Sequence, residues 1–241
     1  DYFEALVRWD HPVEGMISPV EFIPIAEESN LILELGDWIM LESCRQMSAW
    51  HNAGMRKVKI SVNVSGIQLK HRPLHDWVMQ KLDKTGLPPS ALMLEITEST
   101  LITASNSIIR ELEKLRTKGV TIAIDDFGTG FSSLSTLADL PIDVLKIDRL
   151  FIAQANENPK YNEILNSISE LGTKLGLKIV AEGVEELAQF DLVKRLGISS
   201  VQGYLVSRPE SSINVGNKVL QGNVNHVAAT GTGVWQIESN G

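Results

Sequence analysis

From Val58 onward the chain alternates short apolar runs rich in β-branched residues with amphipathic stretches of helical length. Strands covered on both faces and joined by crossover helices leave this pattern. The strand runs are KVKISVNVS, LMLEITE, VTIAIDD, VLKID, LKIVAEG and SVQGYL, each apolar until a polar residue ends it. YFEALVRW at the start brings the strands to about seven. Between them, residues 106–118 place Ile109, Leu112 and Leu115 on one helix face, and Gly119 follows where a left-handed residue commonly ends a helix. Tyr161–Leu175 before Gly176 and Glu185–Leu196 before Gly197 repeat this arrangement, while Pro19–Glu28 and Leu31–Ala53 predict two helices between the first and second strands.

The alternation predicts an α/β fold, a TIM-like (β/α)8 barrel. About seven strands is one short of closure, and the chain begins almost inside a strand, so the expected barrel has its first strand missing, ahead of Asp1. Residues 1–210 form that barrel. Residues 211–241, rich in Gly, Asn, Ser and Thr with weak periodicity, read as a C-terminal extension or tail.

Composition narrows the chemistry. With 241 residues and 43% hydrophobic content, the chain is long enough for one large core, and one domain is expected. No run of eighteen apolar residues and no leader pattern is present, which reads as a cytoplasmic fragment, although the parent protein could be membrane-anchored. The single cysteine, Cys44, lies in a helical stretch and has no partner for an internal disulfide. A net charge of −8 argues against a surface for duplex nucleic acid.

Nearly every strand candidate ends in a metal-competent or catalytic side chain: Glu4, Asn63, Glu95, Asp125 with Asp126, Lys146 with Asp148, Glu182 and Gln202. In a parallel barrel those ends converge on one mouth. Taken singly, an Asp-Asp pair before a glycine loop is a solvated turn. As a set, like carboxylates crowded together repel unless cations neutralise them, so a shared divalent site is the economical account. Oxygen ligands point to Mg2+ or Mn2+. The histidines (His11, His51, His71, His75 and His226) all fall in connections, helix ends or the tail. A zinc pair at His71 and His75 is disfavoured by the intervening Pro73. No GxxxxGK[ST] loop or strand-linked GxGxxG is present, and FGTGFSS has the wrong glycine spacing for either.

These residues lie in EALVRW, SVNVS, LEITES, IDDFGTGFSSLSTLADLPIDVLKID, VAEGVE and VQGYLVSRP. Their order and spacing resemble the EAL family of cyclic di-GMP phosphodiesterases over Phe3 to roughly Pro209. The tripeptide alone would mean nothing; the collinear set is specific. Tyr2-Phe3, ahead of Glu4, departs from the family's usual small residues.

The resemblance implies a barrel with one antiparallel strand and a two-metal site. By motif, Glu4, Asn63, Glu95 and Asp125 resemble the ligands of one metal, with Asp125 bridging to a second that Asp126 and Glu182 also serve. Lys146 resembles the lysine that bonds the attacking water, and Gln202 the glutamine supporting the metal-bound water network; Glu182 joins them in the catalytic set. Leu6, Arg8, Asp148, Glu185 and Pro209 match positions that contact the dinucleotide, Arg8 through a phosphate. Glu98 resembles the glutamate that anchors the Asp-Asp-Phe-Gly loop. Each has a plainer alternative: a surface lysine, a strand-end salt bridge for Arg8, a helix N-terminal charge for Glu185, a cap for Glu98.

The activity implied is hydrolysis of cyclic di-GMP to linear pGpG with two Mg2+ or Mn2+ ions sharing the attacking water, and inhibition by Ca2+. The alternative is a non-catalytic cyclic di-GMP receptor using the same pocket. A homodimer and linkage to sensory or GGDEF-type domains are also implied.

Overall fold

The computed structural model describes residues 2–130, 134–198, 200–220 and 231–238. Its strands are β1 (Tyr2–His11), β2 (Gly15–Ile17), β3 (Lys59–Asn63), β4 (Leu92–Thr97), β5 (Thr121–Phe127), β6 (Val144–Ile147), β7 (Lys178–Ala181), β8 (Ser200–Gln202), β9 (Glu210–Ser211) and β10 (Gly231–Glu238). All seven sequence-predicted strands are present, in chain order around a ring of parallel pairings from β1 through β3 to β8.

The eighth position in the ring is filled from the other end of the chain. β10 lies parallel to both β8 and β1, pairing Phe3 with Gly233 through Arg8 with Glu238. Without it, the edges of β1 and β8 would each present a row of unpaired backbone donors and acceptors. The expected extension at 211–241 therefore contains a barrel strand. Among the described strands, antiparallel pairing occurs only in the β1–β2 hairpin, where Trp9 faces Ile17, and not in the ring.

Helices cover the outside of the ring. Asn106–Thr117 buries Leu112 and Leu115 completely while Ile109 is half-buried, and Gly119 takes φ 100° just beyond its end. Gly176 and Gly197 are likewise left-handed at φ 72° and 75°, after helices Pro159–Lys174 and Leu187–Arg195. Helices Pro19–Glu28 and Ile32–Asn52 sit between the first two long strands as predicted. Cys44 is buried in the second, its thiol pushed up to about 12 by burial, which makes it a packing group and a poor nucleophile. Outward-facing Leu94, Ile96, Ile122, Ile124, Leu145 and Ile147 are wholly buried in the main hydrophobic cluster. No described helix is long and apolar enough to cross a membrane.

Pleat alternation sorts the inward side chains into two layers. Tyr2, Met93, Ala123, Val144 and Val180 form a separate buried cluster, the floor. Two residues further along each chain stand Glu4, Glu95, Asp125, Lys146 and Glu182, one pleat closer to the mouth.

Close backbone approach seats the mouth loops. Gly183 has φ 67°, and a Cβ there would lie 2.4 Å from Arg149 Cβ. Gly183→Ala combines left-handed strain with that clash and is expected to destabilise the protein by about 3 kcal/mol, measured by urea unfolding. A change below about 0.5 kcal/mol would contradict this packing.

Candidate active site

The mouth is organised around a buried cation. Lys146, in β6, is 1% exposed, with Nζ 2.7 Å from Glu182 Oε1, 2.9 Å from Glu95 Oε2 and 3.0 Å from Asp125 Oδ1. Burial alone would lower its pKa, but Glu95, Glu4, Glu182 and Asp125 together hold it well above the usual lysine value. The ammonium therefore stays charged.

The carboxylates show the opposite strain. Burial raises Glu95 well above the ordinary range, with Glu4 and Asp125 adding to it against Lys146. Glu182 is pushed up to about 7 by burial, then by Asp125 and Glu4, opposed by Lys146. Asp126 reaches about 6 through burial and its neighbours Asp125 and Asp148. One lysine cannot neutralise this set.

Consecutive strand residues point to opposite faces, so Asp125 and Asp126 should diverge. The β5–β6 register shifts between Ile124 and Phe127, and Asp126 adopts a left-handed φ of 53°, unusual for a residue with a side chain. This irregularity brings oxygens of Asp125, Asp126 and Glu182 within 4.8 Å of one another. The donor set fits divalent cations: Glu95 Oε1 is buried and accepts no hydrogen bond from the described residues, leaving an anionic lone pair for a metal, Asp125 Oδ1 meets only the Lys146 ammonium among them, and all donors are hard oxygens.

Glu4 is held from two sides, accepting from Asn63 Nδ2 at 2.8 Å on one oxygen and from Gln202 Nε2 at 2.6 Å on the other. Tyr2 Oη in turn donates to Gln202 Oε1 at 3.3 Å, and burial raises the phenol well above its usual pKa. Glu98 sits beneath the loop after Asp126, where its Oε2 accepts from Gly128 N at 2.8 Å and Gly130 N at 3.3 Å. Residues 131–133 of that loop lie outside the described residues.

Above the carboxylates opens a cleft of about 330 Å3. Leu6, Arg8, Asp148, Glu185 and Pro209, the five positions matched to dinucleotide contacts, all line it, as do Glu4, Asp125, Asp126, Lys146, Glu182 and Gln202. Asn63 and Glu95 stand outside the lining, joined to it through Glu4 and Lys146. Asp148 also caps helix Arg149–Ala155 through Leu150 N at 2.8 Å, so one of its oxygens is committed to structure. The helix after β7 starts at Leu187 with Glu186 at its N-cap, leaving the Glu185 side chain at the cleft.

The sequence did not single out Arg149 or Tyr204, which also line the cleft, nor the bond from Tyr2. Tyr2 had one available signal, its place two residues before Glu4 on the same strand face. The described histidines do not line the cleft, with one correction: β1 runs on to His11, making that residue a strand end. Its ring accepts from Val13 N and Glu14 N in the hairpin. His71 bonds Ile67 O of its own helix and His75 bonds Asp76, so the two share no site; His226 lies outside the described residues.

The EAL domain model matches residues 1–209. A bifunctional diguanylate cyclase/cyclic di-GMP phosphodiesterase of Pseudomonas aeruginosa, MucR, is 47% identical over 206 residues, 86% of this chain and 30% of MucR. The cyclic di-GMP phosphodiesterase NbdA of the same organism is 42% identical over 86% of this chain and 26% of its own length. The chain thus spans about a third or less of these relatives. The solved MucR phosphodiesterase in complex with c-di-GMP superposes with a TM-score of 0.80 at 46% identity, covering 83% of this chain and 81% of that one. The calcium/cy-diGMP complex of BlrP1 from Klebsiella pneumoniae gives 0.68 at 32% identity, over 79% and 48%.

The raised carboxyls make a pH prediction. Asp126 and Glu182 bind protons more tightly folded than unfolded, so their contribution to stability is complete below the ordinary values of 3.8 and 4.5 and is lost as pH rises through about 6 and about 7. In EDTA, thermal stability should fall across that window, with a shallower fall in Asp126→Asn and recovery when Mn2+ is added near neutral pH. A wild-type slope unchanged by Asp126→Asn, together with no response to Mn2+, would contradict it.

Proposed function

The chain belongs to the EAL domain family, and from that premise we propose that it hydrolyses one phosphodiester of cyclic di-GMP to linear pGpG with two divalent cations, Mg2+ or Mn2+. The observation that carries this reading is the carboxylate cluster, whose repulsion exceeds what Lys146 neutralises, placed at the floor of a cleft lined by Arg8. Glu4, Asn63, Glu95 and Asp125 would hold one cation; Asp125, Asp126 and Glu182 would hold the other. Bound there, such ions supply Lewis acidity, easing loss of a proton from water and offsetting charge on the non-bridging phosphate oxygens.

The side chains do the rest. Lys146 Nζ, pinned by carboxylates at 2.7, 2.9 and 3.0 Å, is a charged donor with a fixed direction, suited to orienting the attacking water. Gln202 secures Glu4. Arg8 binds a phosphate, with Leu6, Asp148, Glu185 and Pro209 bordering the dinucleotide. Water oxygen bonds to phosphorus, the P–O3′ bond breaks, and the departing 3′ oxygen takes a proton, leaving a 5′-phosphate on the product. Glu98 keeps the loop after Asp126 in place through Gly128 and Gly130. A homodimer, and linkage to sensory or GGDEF-type domains, extend the same proposal to the parent protein.

Purified protein with cyclic di-GMP and Mg2+ or Mn2+ is expected to release pGpG, resolved by anion-exchange chromatography, and Ca2+ to suppress turnover. Lys146→Met should lower kcat by about 100- to 10,000-fold. Binding of cyclic di-GMP without hydrolysis under either metal would overturn the enzyme reading in favour of a receptor module.

A further inference from the structure

Within the floor cluster of Tyr2, Met93, Ala123, Val144 and Val180, only Tyr2 carries a polar side-chain group. Its hydroxyl rises from the apolar layer to Gln202 Oε1 at 3.3 Å, while Gln202 Nε2 reaches Glu4 Oε2 at 2.6 Å. The chemistry dictates the direction of this chain. A carboxylate only accepts, so the amide nitrogen must face Glu4; the amide oxygen then faces Tyr2, whose hydroxyl must be the donor. Asn63 Nδ2 completes the run on the other Glu4 oxygen at 2.8 Å.

The middle of this relay, Gln202, lies almost a whole chain away from Tyr2 and Glu4, the two residues it joins. Tyr2 and Gln202 are separated by 200 positions. β1 therefore grips the Gln202 amide twice, from Glu4 in the mouth layer and from Tyr2 one pleat below. A side-chain amide has two orientations related by a flip, and only one donates to Glu4. The other would set the amide oxygen against a carboxylate oxygen.

We propose that Tyr2 is a positioning residue: its hydroxyl locks the Gln202 amide in the orientation that donates to Glu4, and so holds the Glu4 carboxylate in its cation-binding pose. This rests on the reading of Glu4 as a metal ligand. Tyr2 does not line the cleft and acts through Gln202. Its ring could equally serve as filling for the floor, and the two roles separate experimentally, because Tyr2→Phe keeps the ring and removes only the donor.

The test is a double-mutant cycle read by calorimetric Mn2+ titration without dinucleotide, on wild type, Tyr2→Phe, Gln202→Ala and the double variant. Tyr2→Phe is expected to weaken Mn2+ binding about tenfold when Gln202 is present, the lower end of the effect of groups that orient metal ligands, and to change nothing further when Gln202 is alanine. Equal losses in both backgrounds would make Tyr2 a packing residue and overturn the proposal, as would undiminished affinity in Tyr2→Phe. If wild type itself binds no Mn2+, the metal-dependent reading fails and takes this inference with it, an outcome distinct from the other two. Should Tyr2→Phe not fold, side-chain amide signals of wild-type Gln202 in 15N-edited NMR decide the matter. Two sharp signals slow to exchange with solvent support a locked amide, and an averaged, rapidly exchanging pair overturns it.

Discussion

A lysine with 1% exposure among carboxylates is the constraint on which the rest of this structure turns. A buried ammonium is tolerable only when opposite charge outweighs its lost hydration, and Lys146 meets that condition through Glu95, Asp125 and Glu182 at 3.0 Å or less. The same contacts join β6 to carboxylates on or just beyond β4, β5 and β7, so one ammonium ties together four neighbouring segments of the barrel wall. It does so incompletely. Glu182, Asp126 and Glu95 remain raised, and the buried Glu95 Oε1 accepts no hydrogen bond from the described residues. The cluster thus stores unneutralised charge at the bottom of the cleft, a stability cost of the kind found at functional sites.

The barrel makes that concentration of charge affordable by separating layers. Along each strand the outward residues feed the main hydrophobic cluster, and the inward ones change from apolar floor to polar mouth within one pleat. Met93 precedes Glu95, Ala123 precedes Asp125, Val144 precedes Lys146 and Val180 precedes Glu182, each by two positions. The floor excludes water from below, which strengthens every electrostatic contact above it. Departures from this regular plan coincide with the site. The irregular β5–β6 pairing and left-handed Asp126 bring two neighbouring carboxylates to one side, and Gly183 lets the loop after β7 settle against Arg149.

Much of this was legible in the sequence, for a physical reason. Strands buried on both faces must be apolar throughout, so seven strands of the ring announced themselves, and a parallel barrel gathers its strand ends at one mouth. Each polar residue ending an apolar run was therefore a candidate before any geometry was known, and the cleft does bring together Glu4, Asp125, Asp126, Lys146, Glu182 and Gln202. Glycines after the crossover helices marked their ends because left-handed backbone suits no other residue as well.

Only tertiary structure decided the rest. Strand β10 begins on a Gly- and Thr-containing run and alternates only briefly, over Trp235-Gln236-Ile237-Glu238, and its pairing with β1 and β8 depends on edges that exist only once the barrel has formed. The Tyr2–Gln202–Glu4 relay joins residues about 200 positions apart, and no local pattern encodes such a contact. The local pleat sends Asp125 and Asp126 apart, whereas the bulge against β6 reunites them. Periodicity, a short-range property of the chain, determined the strands and the identity of the candidate ligands. Distances, protonation and hydrogen-bond direction are set by what the closed ring forces together, and those only the folded barrel determined.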